Sequence, residues 1–194
     1  TLDSHDKENP IKPFPWDRRH ILPIVRLWQA NRLISLEKSR QMLATWLMAA
    51  LCTWWCLFHR GQLVIVQAAT EFDVIGDENT ADGQLGRIKF ILHHLAGATY
   101  LGMTEGQAFK CIDIKIQFLG ANSSIIGLPQ TGEKLRQRTA SGVWLDEAGL
   151  FPDFADTWSN ACACTRGGGW ITITTTARSG GANQLHHDQS MEGQ

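Results

Sequence analysis

The sequence predicts an α/β domain with a mainly parallel central sheet flanked by helices, and three observations carry that prediction. Leu33-Ile34-Ser35-Leu36, Leu63-Val64-Ile65-Val66 and Gly142-Val143-Trp144-Leu145 are short, nearly continuous apolar runs, as expected of strands covered on both faces. Between the runs lie stretches of helical period, which implies crossover connections. The composition, 43% hydrophobic and 19% charged over 194 residues, suits one domain with a substantial core and excludes wholesale disorder.

In chain order, residues 1–16 are polar and then proline-rich at Pro10, Pro13 and Pro15, an expected irregular arm. Arg18 to Ala30 places Ile21, Ile24, Val25, Leu27 and Trp28 on an amphipathic helical pattern, with Pro23 near its start. Leu33–Leu36 is the first strand. Met42 to Phe58 follows, 17 residues without a charge, close to the lower limit for a membrane span. Thr45, Thr53 and the strand-like run immediately after it favour a fully buried helix. Asp77 to Leu95 is polar, then helical. Ile112-Asp113-Ile114-Lys115-Ile116 alternates strictly and reads as one half-exposed strand, with Ser124–Leu128 to pair with it. Asp153 to Thr165 is helical, glycines 167–169 turn the chain, and Trp170 to Thr176 is a strand. The domain is expected over 17–185, with 186–194 a frayed end or the start of a linker. A chain opening at Thr1 fits a fragment.

The formal net charge of −1 implies no global attraction to nucleic acid. Five cysteines give no disulfide framework and no zinc spacing, which reads as reduced thiols in a cytosolic-type compartment. Thr1 to Asn9 has no apolar core of the kind a signal peptide needs.

The chemistry concentrates at two strand ends. Asp146-Glu147 closes the run Gly142–Leu145, and two adjacent carboxylates there are costly unless a metal, a partner or water meets them. Many strands simply end in acidic loop residues, so the upstream loop decides. After the first strand comes Glu37-Lys38-Ser39-Arg40-Gln41-Met42-Leu43-Ala44-Thr45-Trp46. Set against the phosphate loop G-x-x-x-x-G-K-[ST], Lys38 and Leu43 replace the glycines, Ala44 replaces the lysine, and Thr45 keeps the hydroxyl. The physical requirements can still be met. A strand-to-helix turn aims backbone N–H groups at an anion, Lys38 can fold back toward phosphates, and Arg40 offers a fork of donors.

KSRQMLATW (38–46) resembles the variant phosphate loop of tailed-bacteriophage terminase large subunits, in which a lysine at the loop's start substitutes for the usual one. LVIVQA (63–68) is similar to that family's second strand. The stretch 126–147 is similar to its run through a Leu-Arg pair into the acidic strand, and ITITTTA (171–177) to its Thr-rich coupling motif. Order and spacing agree across roughly residues 14–185.

The resemblance implies a P-loop NTPase fold of the ASCE/RecA-like type. It also implies an ATPase motor domain that hydrolyses ATP to drive viral DNA into a procapsid. By it, Lys38, Ser39, Arg40 and Gln41 bind phosphate, and Thr45 with Asp146 holds Mg²⁺. Glu147 activates water, and Arg136, 11 residues before it, is a trans-acting arginine finger. Thr175 and Thr176 relay the state of the γ-phosphate, and Gln29 lies in the adenine region. Expected partners are double-stranded viral DNA, the portal protein, the small terminase subunit and further copies of the chain in a ring, by analogy pentameric, with no membrane. The expected place is the cytoplasm of the infected bacterial host and, transiently, the procapsid portal. The family's nuclease half would begin after about residue 190, so no DNA cleavage is expected from this chain.

Other readings stand beside these. Lys134, Arg136 and Arg138 also form an ordinary solvated basic face, and the threonines of 172–176 suit a strand on β-propensity alone. A helicase-type motor would keep the standard loop. A catalytically degenerate domain for assembly or DNA docking, or a membrane protein spanning at 42–58, are the rivals outside enzymology. Leu43-Ala44 leaves no glycine at the helix entry, which makes the loop's backbone path the open question.

Overall fold

The computed structural model describes residues 1–3, 6–39, 42–95, 104–129, 135 and 138–176. In chain order it contains α1 (Ile21–Ala30), β1 (Leu33–Lys38), α2 (Ala44–Phe58), β2 (Leu63–Ala68), α3 (Glu71–Ile75) and α4 (Gln84–His93). There follow β3 (Phe109–Ile112), β4 (Lys115–Phe118), β5 (Ser123–Pro129) and β6 (Gly142–Asp146), a 3-10 turn (Ala148–Leu150), α5 (Phe154–Cys164) and β7 (Trp170–Thr176). The strands form one sheet in the order β1-β7-β6-β2-β5-β4-β3. The first five in that order run parallel, and β4 and β3 extend the sheet antiparallel at one edge.

Alternation sorts the strand residues onto two cores. Val64, Val66, Trp144 and Trp170 face the side covered by α1, α2 and α4, where Trp28, Leu47, Met48, Cys52, Leu85 and Ile88 are buried. Ile65, Val143, Leu145, Ile171 and Ile173 face the other side, against Phe151, Phe154 and Ala161. β6 is buried along its whole length, which is why its sequence is apolar without a break. The uncharged run becomes α2, with its buried face in the first core and Trp54 and Phe58 exposed at its end. No helix among the described residues is long and apolar enough to cross a membrane.

The alternating segment at 112–116 is not one strand. It is a tight hairpin in which β3 and β4 pair antiparallel, with Ile112 opposite Lys115. Asp113 takes φ 39° at the turn, a conformation that Asp tolerates through its short polar side chain. Alternation survives a two-residue turn, so the pattern alone hides the reversal. β4 then pairs antiparallel with β5.

Two N-caps help fix helix starts. Thr70 accepts from the Asp73 N–H at α3, and Asp153 accepts from the Asp156 N–H at α5. The link from α3 to α4 crosses itself closely. Gly76 and Gly83 both have positive φ, and a Cβ on Gly83 would stand 2.6 Å from the Gly76 nitrogen. That crossing sets the first turn of α4 beside the start of α2.

Candidate active site

Parallel strands bring their C-terminal ends to one edge, where ligands of open α/β sheets bind. Here that edge collects the ends of β1, β7 and β6. Lys38 is in register with Thr176, and Asp146 with Thr174. β7 therefore lies between the lysine and the carboxylates, and the Lys38 side chain reaches across it. Its Nζ donates to Glu147 Oε1 at 2.7 Å and lies 3.8 Å from Asp146 Oδ1. It also donates to Thr45 Oγ1 at 3.4 Å. One ammonium thus joins the first strand, the helix start and the acidic strand end.

The two carboxylates have different surroundings. Asp146 is buried and continues the face of Trp144. Its Oδ1 accepts from the Thr174 hydroxyl at 2.6 Å and from the Glu147 N–H at 3.1 Å. Thr174 in turn accepts from the Trp144 indole N–H at 2.9 Å, so the hydroxyl is oriented from behind. Burial pushes the Asp146 pKa above the usual carboxylate range, against the pull of Lys38 and Thr174.

Glu147 lies beyond the strand with left-handed φ and ψ of 50° and 41°, an uncommon conformation for a residue with a side chain. Burial raises its pKa too. The hydrogen bond and charge of Lys38, with the hydroxyl and N–H of Thr176, outweigh that effect and leave it lowered. Two neighbouring carboxylates with protonation pulled apart suit division of labour.

The loop's backbone path has a clear form. Leu43, at the place of the second motif glycine, adopts the left-handed conformation at φ 59° and caps α2 without a side-chain hydrogen bond. A leucine there costs roughly 1 kcal/mol more than glycine. The turn that glycine normally provides is made without it, and the first-turn N–H groups of α2 receive no side-chain cap. His20 Nε2 lies 3.0 Å from the Met42 carbonyl, tying the loop to the start of α1. Beside the loop is a cavity of about 230 Å³ lined by Lys38, Ser39, Thr45, Trp46 and Arg87, among others.

The site therefore brings together Lys38, Ser39, Thr45, Asp146, Glu147 and Thr176. Thr175 points elsewhere, its Oγ1 accepting from the Gly149 N–H at 3.0 Å and anchoring the turn that follows Glu147. Gln29 is not brought to the loop. It is exposed near the C-terminal end of α1 and lines a separate cleft with Trp28, Arg32 and Trp170, beside the start of β1 rather than its end. Arg40, Gln41 and Arg136 lie outside the described residues. Thr174, His20 and Arg87 are the site's additions. Only Thr174 had a legible signal, because period two puts it on the same face of β7 as Thr176.

The donors suit Mg²⁺, a hard cation that takes one or two protein oxygens and keeps several waters. Asp146 is a buried carboxylate whose burial penalises its charge, and Thr45 supplies a hydroxyl. Both lie within 3.8 Å of one cationic nitrogen, so a positive charge is already accommodated there.

No family model and no curated protein matches the sequence. Among solved structures, the large terminase of bacteriophage HK97 aligns over 95% of this chain and 38% of its own, with a TM-score of 0.66 and 13% identity. The ATPase domain of the Thermus phage P74-26 large terminase aligns over 77% of this chain and 61% of its own, with a TM-score of 0.57 and 19% identity. The large terminase of the thermophilic bacteriophage D6E, solved with ADP, aligns over 82% of this chain and 38% of its own, at TM-score 0.56 and 14% identity. The chain thus spans about two fifths of the HK97 and D6E proteins. With its mostly parallel seven-stranded sheet and its strand-end site, it has the fold of the ATPase domains of phage large terminases.

Proposed function

We propose that this chain is the ATPase motor domain of a phage terminase large subunit, hydrolysing ATP to drive viral DNA into a procapsid. The observation that carries the reading is the Lys38 ammonium, held between Glu147, Asp146 and Thr45 at the uncapped start of α2. That places an ammonium beside a helix start whose N-cap makes no side-chain hydrogen bond, and a polyphosphate is met by a cation and helix N–H groups together. The solved D6E protein holds ADP in one crystal and ATP-gamma-S in another, and the shared fold supports carrying nucleotide binding to this chain.

In the mechanism, the phosphates of ATP lie against the first turn of α2 and draw Lys38 away from Glu147. Ser39 adds a hydroxyl, and Arg40 and Gln41 extend the phosphate contacts. Asp146 and Thr45 would hold Mg²⁺, which would supply positive charge to offset that of the phosphate oxygens. Glu147, released from its ion pair and retained by Thr176, accepts a proton from the attacking water. Because Thr176 holds both oxygens of Glu147 at 3.1 and 2.9 Å, loss of the γ-phosphate is felt directly by β7. Thr175 carries that change to the turn at Gly149. Arg136 completes a neighbour's site in a ring of copies, by analogy five.

The partners of this reading are double-stranded viral DNA, the portal protein and the small terminase subunit, in the host cytoplasm and then at the portal. DNA cleavage is assigned to a nuclease region outside these residues. Steady-state phosphate release with ATP, Mg²⁺ and DNA tests the proposal. Lys38→Ala and Glu147→Ala are each expected to reduce turnover about 10²–10⁴-fold, with Glu147→Ala still binding ATP. Absence of turnover by the unaltered chain at concentrations where it assembles favours the rival reading, a degenerate assembly or DNA-docking module.

A further inference from the structure

Arg87 has no part in the chemistry above, yet it lines the same cavity as Lys38, Ser39 and Thr45. It comes from the first turn of α4, whose position the Gly76–Gly83 crossing sets. Its Nη1 donates to the Gly83 carbonyl at 2.8 Å, which folds the side chain along its own helix. Its guanidinium carbon lies 5.8 Å from the centroid of the Trp46 ring in the first turn of α2, within cation–π range. Trp46 is braced by Phe90 at 5.6 Å, edge to face. The guanidinium is therefore held by a carbonyl on one side and an aromatic ring on the other.

Burial penalises its charge, and the charges of Asp146, Asp82 and Asp73 offset that only in part and from a distance. Among the described residues Arg87 makes no ion pair, and its Nε is buried without a hydrogen-bond partner. A desolvated cation left in this way costs free energy that an anionic ligand recovers. Meanwhile Ala44 occupies the position at which a standard phosphate loop carries its lysine.

We propose that Arg87 is a phosphate-binding residue of this site, brought to the nucleotide from α4 and supplying the donors that Ala44 lacks. The assignment rests on the reading that the cavity takes a nucleoside triphosphate. A planar fork suits the task, since it can meet two phosphate oxygens while Lys38 serves as a point charge from the opposite end of the loop.

The test is calorimetric titration of the chain with ATP-gamma-S and Mg²⁺, with the melting temperature of each variant measured with and without ligand. Arg87→Ala is expected to weaken binding about 10- to 100-fold, the range of one charge-assisted contact. Without ligand it should remain folded, melting lower only by what the Gly83 hydrogen bond and the Trp46 contact supply, but show a smaller ligand-induced rise. Arg87→Lys is expected to retain part of the affinity, keeping charge without the fork. Undiminished affinity in Arg87→Ala, with binding lost in Lys38→Ala, overturns the role of Arg87 and leaves the nucleotide site standing. Absence of binding by the unaltered chain overturns the nucleotide reading and this assignment with it. If Arg87→Ala unfolds, Arg87→Lys decides, and full affinity there overturns the proposal.

Discussion

At the residue scale, Asp146 and Glu147 differ because one is inside the sheet and the other is just past its end. For Asp146 the folded pKa is raised above its unfolded value, by burial first. The folded state therefore holds a proton more tightly, and ionised Asp146 lowers stability at neutral pH; that loss fades as pH falls through the raised pKa. Glu147 has the opposite sign. Its lowered pKa contributes stability above the unfolded carboxylate pKa, lost as pH falls through the depressed folded value. Asp146→Asn removes the buried charge and keeps an oxygen for Thr174. Its melting temperature without nucleotide is expected to exceed that of the unaltered chain at neutral pH. The gap should close on acidification as Asp146 itself becomes neutral, and turnover should be lost at every pH. Thermal scans across a pH series check this, and a variant that melts lower at neutral pH would contradict the sign.

At the scale of elements, β7 is the strand on which the site depends, since it separates Lys38 from the carboxylates and its threonines hydrogen-bond to Asp146 and to Glu147. Thr174 links Trp144 to Asp146 through one hydroxyl. Thr174→Val keeps the shape but leaves the Trp144 indole N–H unpaired and takes from Asp146 Oδ1 the shorter of its two hydrogen bonds. The expected cost is about 1–3 kcal/mol, measured by denaturant unfolding, with weaker Mg²⁺-dependent turnover because Asp146 is no longer held. Strand ends such as Lys38 and Asp146-Glu147 were legible in the sequence because apolar runs mark where each strand stops. Thr174 was legible only through period two, which sets it on the face of Thr176, among residues that suit any strand. Arg87 was hidden more deeply, since which side of α4 meets α2 is set by tertiary packing and the Gly76–Gly83 crossing. The hairpin at Asp113 escaped because a two-residue turn preserves alternation. Leu43 shows a further limit: the motif's glycine reports a backbone conformation, and another residue can occupy it at a modest cost.

At the scale of the molecule, the site joins β1, α2, β6, β7 and α4 without a covalent tie. A ligand that contacts all of them should stabilise the whole domain rather than one loop. Without nucleotide, Lys38 pairs with Glu147 and lies 3.8 Å from Asp146, one positive charge against two carboxylates. With nucleotide, phosphate oxygens compete for it, and the freed carboxylates need Mg²⁺. The metal and the triphosphate should therefore stabilise more together than the sum of their separate effects. At a hundred times the dissociation constant, a ligand adds about 2.7 kcal/mol. For a domain of this size that corresponds to a rise in melting temperature of about 5–10 °C. ATP-gamma-S with Mg²⁺ is expected to reach that range, and either alone to fall well short. Lys38→Ala should abolish the joint rise, because the residue that couples the loop to the acidic strand end is gone. A full rise with ATP-gamma-S in chelator would place the binding energy in the loop alone and separate it from Asp146.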